Sequence, residues 1–185
     1  MERVLKELEK VRTAPDPDSV HDLRVAIRRC RSVAAAMEEV EMRQLGRKLF
    51  RDLGELRDIQ VLEDWVRRLS EDHDPIRQQL LSTFEKRETE LREAALRAIG
   101  KFDGKTWRKL EGRLSRRVRL VPVDGPVAEG MALERLEAAK ELHARALRTE
   151  QPAPWHELRI GVKRFRYTVE SLLPARYQVW ETNLK

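Results

Sequence analysis

Two twelve-residue segments, Val20-His-Asp-Leu-Arg-Val-Ala-Ile-Arg-Arg-Cys-Arg31 and Trp155-His-Glu-Leu-Arg-Ile-Gly-Val-Lys-Arg-Phe-Arg166, align at an offset of 135 residues. His, Leu and three Arg are identical, Asp22 pairs with Glu157, Val25 with Ile160, and Arg28 with Lys163. A match of this kind is a duplication, so the fold must use one local unit twice. Each copy follows a proline-containing break and a short amphipathic segment, and its apolar residues recur at helical spacing. With 38% charged, 41% apolar and only 5% aromatic residues, an all-helical chain is expected, and a membrane span or a β-rich sandwich is not.

The punctuation predicts the element order. Leu5, Leu8 and Val11 space a first helix that ends before Pro15 and Pro17. Ser19 and Asp22 have the form of a capping box opening a second helix to about Val40. Leu45, Leu49, Leu53 and Leu56 mark a third helix from Arg43 to Ser70, and Asp74-Pro75 starts a fourth that runs to Gly100. Residues 101–120 place Trp107, Leu110, Leu114 and Val118 on one face. Pro122-Val-Asp-Gly-Pro126 is a break. Further helices are expected over Ala128–Arg148 and Trp155–Leu173, with Pro154 at the start of the latter and Pro174 ending it. The resulting division is a first helical repeat over 1–100, a basic helix with a Pro/Gly connector over 101–125, and a second repeat over 126–185.

Charge is unevenly spread. The net charge is +6, yet residues 1–100 hold 20 Lys+Arg against 21 Asp+Glu, and residues 101–120 hold 8 against 2. On a helical wheel His21, Arg24, Arg28 and Arg31 share an arc of about 80°. Leu23, Ile27, Cys30, Ala34 and Met37 occupy the other side. His156, Arg159, Lys163 and Arg166 repeat the stripe. A solvated helix face ordinarily interleaves opposite charges at i+3 or i+4, and Arg24, Arg28 and Arg31 have none there. Like-charge neighbours cost roughly 0.2–0.5 kcal/mol per pair, which a bound anion would offset. The histidines, expected in the first turn, add one or two hydrogen-bond donors according to protonation. Lys105, Lys109, Arg113 and Arg116 on the basic helix are candidate auxiliary cations.

A metal site is not expected: no His-x-x-x-His occurs, and the Asp18-to-His21 spacing is absent from the second copy. No Gly-x-x-x-x-Gly-Lys-Ser/Thr loop is present, and the single cysteine, Cys30, lies on the apolar face, where packing is its expected role. No cofactor is called for. The start Met-Glu-Arg-Val-Leu-Lys lacks the apolar run of a signal peptide, and a lone cysteine cannot form an internal disulfide, so the chain reads as cytoplasmic.

The two repeat segments, together with Leu53-Gly-Glu-Leu-Arg-Asp-Ile-Gln-Val-Leu62 and the continuation Tyr167-Thr-Val-Glu170, resemble the CHAD domain, the conserved histidine α-helical domain. The resemblance covers nearly the whole chain. It implies an all-α fold of tandem antiparallel helical bundles related by a pseudo-twofold axis, with basic stripes facing a central pore. It also implies non-catalytic binding of inorganic polyphosphate or another polyanion, and with it a place on polyphosphate granules. Arg29, Arg57 and Arg164, within the matching motifs, join the auxiliary cations, with a structural Arg57–Asp58 ion pair as the equal alternative for Arg57. The second repeat reads as incomplete, because it stops at Asn183-Leu-Lys185 before an equivalent of Leu53-Gly-Glu-Leu-Arg57-Asp58.

Two alternatives belong to other classes. Nucleic acid also binds rows of cations, but stacking readers need exposed aromatics, and Trp107 and Phe50 fall on or near apolar faces. Neither stripe carries the Asn or Gln that reads base edges in DNA. A structural protein–protein adaptor would bury the stripes against acidic helices. An enzyme is disfavoured: CHAD domains are often fused to triphosphate tunnel enzymes, but their Glu-x-Glu-x-Lys is missing, and Glu7-Leu-Glu9-Lys10 differs by one residue.

Overall fold

A computed structural model describes residues 3–69, 71 and 73–183. The described residues form nine α-helices and no strand: α1 (Arg3–Thr13), α2 (Pro17–Ala36), α3 (Val40–Asp52), α4 (Gly54–Leu69), α5 (Pro75–Gly100), α6 (Gly104–Val118), α7 (Pro126–Ala146), α8 (Pro152–Leu172) and α9 (Pro174–Asn183). Five of them begin at proline. Proline fixes φ near the helical value and lacks an N–H that would have no intrahelical partner at that position.

Caps decide where several helices differ from their expected limits. Asp16, not Ser19, opens α2: its Oδ1 accepts from the N–H of Asp18 at 3.0 Å and of Ser19 at 2.8 Å. These bonds hold the Asp16 carboxyl below the usual carboxylate range, the Ser19 N–H first among them. Ser19 Oγ instead donates to the carbonyl of Ala14 at 2.6 Å. α8 likewise starts at Pro152 rather than Pro154. His21 and His156 each lie four residues after the opening proline, in the second turn and beyond the free N–H groups of the first. Asp74 caps α5 as expected, accepting from the Ile76 N–H at 2.8 Å.

The second helix stops at Ala36 instead of running to Val40. Glu38 adopts a left-handed φ of 57°, the Glu39 N–H bonds to the Ala34 carbonyl at 2.7 Å, and the Glu38 N–H to that of Ala35 at 3.4 Å. This is the Schellman termination, here built on glutamate where glycine is usual. The expected third helix is two, α3 and α4, interrupted at the fully buried Leu53.

Backbone contacts divide the chain into two compact units, Met1–Cys30 with Glu41–Glu111, and Arg31–Val40 with Gly112–Lys185. In the first, Val4, Leu8 and Val11 of α1, Val20, Leu23 and Ile27 of α2, Met42 and Leu49 of α3, Leu56 of α4, Ile99 of α5 and Trp107 of α6 form the core. α4 and α5 make an antiparallel hairpin with a polar seam. Gln60 Nε2 donates to Glu88 Oε1 at 3.0 Å, and buried Glu63 is pushed above the usual carboxylate range by burial and by the neighbouring Glu88 charge.

The second unit centres on the α7–α8 hairpin. α7 lines its buried face with Ala128, Ala132, Ala139 and Ala146. α8 brings Gly161 against them, where a Cβ would meet Leu142 Cδ1 at 2.6 Å and Ala139 Cα at 3.7 Å. Small residues on both sides let the backbones approach, which fixes the rotation of α8 and turns its basic row outward. Asp124, also left-handed with φ of 56°, ties the preceding loop to the α8–α9 junction through the Leu172 carbonyl, 2.9 Å from its N–H.

Candidate anion-binding stripes

The first stripe rises from α2. His21 and Arg29 are exposed, whereas Arg24, Arg28 and Arg31 are half-buried. The Arg24 guanidinium lies over the Phe50 ring, 4.0 Å from its centre, and Nη1 donates to the Phe50 carbonyl at 2.9 Å. Arg28 approaches the same ring at 5.9 Å. Phe50 sits in the last turn of α3, where helix carbonyls lack intrahelical donors and favour cations. Burial depresses the Arg24 pKa. Nearby Arg28 and Arg57 push the same way, and Asp58 opposes them. An arginine remains protonated under such a shift, but its charge is poorly solvated and gains from an added anion. Arg57 is anchored by Nη1 to the Pro17 carbonyl at 3.3 Å, beside the start of α2.

The second stripe rises from α8. His156, Arg159, Arg164 and Arg166 are exposed and Lys163 is half-buried. Arg166 Nη2 donates to the Tyr177 hydroxyl of α9 at 3.0 Å, a bond that raises the Arg166 pKa and sets the guanidinium 6.0 Å from the ring centre. Glu157 faces away from the row and pairs with Arg145 of α7.

On α6 the expected auxiliary cations separate. Lys105, Lys109 and Arg116 are exposed. Arg113 instead turns to Glu39, whose carboxylate is 2% exposed: Nε reaches Oε2 at 3.0 Å and Nη2 at 2.6 Å. Arg117 joins it at 3.1 Å and donates through Nη1 to the Met37 carbonyl at 2.7 Å. Two of the arginines of the basic helix therefore hold the turn after α2. Spacing along α6 gave no sign of a partner 74 residues away.

From the sequence Phe50 was read only as lying on or near an apolar face, and Tyr177 was given no role in the site. Exposed aromatics, which base stacking needs, are present after all: Trp107 is fully buried, but Trp65 and Trp155 are 57% and 44% exposed. The repeat aligns Trp155 with Val20 and Val162 with Ile27. Val20 and Ile27 are fully buried, whereas Val162 is 48% exposed. The same register thus carries a closed apolar face on α2 and an open one on α8.

Cys30 is buried, with Sγ 3.9 Å from Met42 Sδ, as expected of a packing residue. Among the described residues no group of three or more His, Cys, Asp or Glu could hold a metal ion, and no helix is long and apolar enough to cross a membrane.

Searches of curated proteins and of solved structures return no match to this chain. A family model, the CHAD domain, matches residues 1–185. With an all-helical fold and that match over its whole length, the chain belongs to the CHAD family.

Proposed function

We propose that this protein binds inorganic polyphosphate without chemically altering it, through His21, Arg24, Arg28 and Arg31 on α2 and His156, Arg159, Lys163 and Arg166 on α8. CHAD domains are linked in general to polyphosphate binding and are generally binding rather than catalytic domains. The observation that carries the reading for this chain is Arg24. Its guanidinium is half-buried on Phe50, flanked by Arg28 and Arg57, and depressed in pKa chiefly by burial. A phosphate oxygen offsets that cost, and the planar fork suits it. Lys105, Lys109 and Arg116 extend the cationic surface for long chains. A cytoplasmic location on polyphosphate granules follows from the same reading.

The test is titration with polyphosphates of graded length. Arg159→Glu with Lys163→Glu is the cleaner reversal, because Arg159 is exposed. Arg24→Glu with Arg28→Glu also removes the cover of Phe50. Both double variants should lose binding while circular dichroism stays helical. With about six of the stripe charges engaged, log affinity should fall with log salt at a slope of roughly −4, so a fourfold rise in salt costs about two orders of magnitude. Folded variants that bind like the parent would remove the stripes from the mechanism.

A further inference from the structure

On α8, residues Trp155, Arg159, Val162 and Arg166 recur at i, i+4, i+7 and i+11. They form one row within an arc of about 60°, running about 16 Å along the helix. Lys163 and His156 flank it. The row opens with an indole that is 44% exposed, and the half-buried Tyr177 lies beside Arg166 near its other end, where Glu170 closes it. An exposed indole followed by guanidiniums one and three turns on, with Lys163 between them, suits a ligand that carries a flat heterocycle on phosphate.

The other exposed indole has different neighbours. Trp65 stands on α4 with Leu62 and Leu69, which are 43% and 82% exposed, and the adjacent Arg68 is paired with Asp64 at 3.0 Å. The α2 row differs too: Val20, aligned with Trp155, is fully buried, and Phe50 is covered by Arg24. Among the described residues, only the α8 row sets an exposed tryptophan at the head of two arginines in one arc; Arg68, three residues after Trp65, is paired with Asp64.

We infer that the α8 row binds a nucleobase carried on phosphate, with the base stacked on Trp155 and the phosphates on Arg159, Lys163 and Arg166. The inference rests on the anionic reading of this stripe and adds base recognition to it. The two stripes then differ in preference: α2 takes phosphate irrespective of what it carries, and α8 favours a base-bearing one. A mononucleotide and a single strand share this chemistry.

The experiment uses the full chain and four probes: ATP, tripolyphosphate, an oligothymidylate of about twelve nucleotides and its abasic counterpart. Polyphosphate is titrated in parallel. The parent should bind the oligothymidylate more tightly than the abasic strand. Trp155→Ala should lose about tenfold for the base-bearing probes, Trp155→Phe should recover most of this, and both should hold polyphosphate within about twofold. Trp65→Ala should change neither. A Trp155-dependent preference for ATP over tripolyphosphate identifies mononucleotides as ligands, and one seen with the oligonucleotide alone identifies single strands. Equal binding of the two strands by the parent would overturn the inference, as would equal losses of oligothymidylate and polyphosphate in Trp155→Ala. So would a Trp155→Ala that alters self-association but no nucleotide affinity, since Trp155 and Val162 would then form a protein-docking face. In each of these cases normal polyphosphate binding by the parent leaves the proposed function standing.

Discussion

Replacing Glu39 with Gln isolates the contact that joins the turn after α2 to the second half of α6. The carboxylate is 2% exposed and accepts from Arg113 and Arg117, whose side chains are 41% and 50% exposed. Breaking a buried pair costs about 3–5 kcal/mol when the stranded charge stays buried. Here the stranded guanidiniums face water and can rehydrate, and the isosteric amide keeps one acceptor, so the loss should be smaller, about 2–3 kcal/mol. For a chain of this length each kcal/mol moves Tm by about 2–4 °C, which places the expected drop at about 5–10 °C. Thermal unfolding followed by circular dichroism reads it directly. Replacing Arg113 and Arg117 with Gln should cost at least as much, because Glu39 would stay buried and charged without its partners. Combining all three changes should recover part of the loss, since no uncompensated charge remains. The folded Glu39→Gln variant also releases two cations, so the salt slope of polyphosphate binding should steepen by up to about 1.4. Unchanged Tm in Glu39→Gln, or strictly additive losses in the triple variant, would refute the claim that this carboxylate holds the turn.

Phe50→Leu removes the ring beneath Arg24 and Arg28 but keeps the backbone carbonyl that accepts from Arg24; polyphosphate affinity should fall about three- to tenfold with a modest change in Tm. Glu63 is raised by burial and by Glu88, so the native state holds its proton to higher pH than the unfolded chain does. Its contribution to stability is therefore present below the ordinary carboxylate pKa and lost as pH rises through the raised one. Glu63→Gln should raise Tm near neutral pH and flatten that dependence, and a parallel pH profile in the variant would contradict the assignment. The Cys30 thiol, pushed up to about 12 chiefly by burial, should resist alkylation at pH 8 in the native protein and react at once in denaturant. Fast native labelling would mean that α2 opens.

Much of this protein was legible along the chain because the deciding physics is local. Proline fixes its own φ, so Asp74-Pro75 reads as a helix start, whereas Pro17, Pro126, Pro152 and Pro174 read only as breaks or ends until the structure shows each opening a helix. Apolar spacing gave the buried face of α6, with Trp107 and Leu114 fully buried. The duplicated His/Arg segment told which helix faces carry the cations. What tertiary structure alone decided involves partners far apart in sequence, or conformations that residue type does not announce. Glu38 ends α2 in a left-handed conformation that glycine would have signalled. Arg113 reads as a free surface cation until the fold sets Glu39 against it. Phe50 reads as a core residue until Arg24 lies across its ring. The repeat makes Val20 and Trp155 equivalent as sequence positions, but only packing leaves one fully buried and the other 44% exposed. Burial is a property of neighbours, and a chain names its neighbours only when folded.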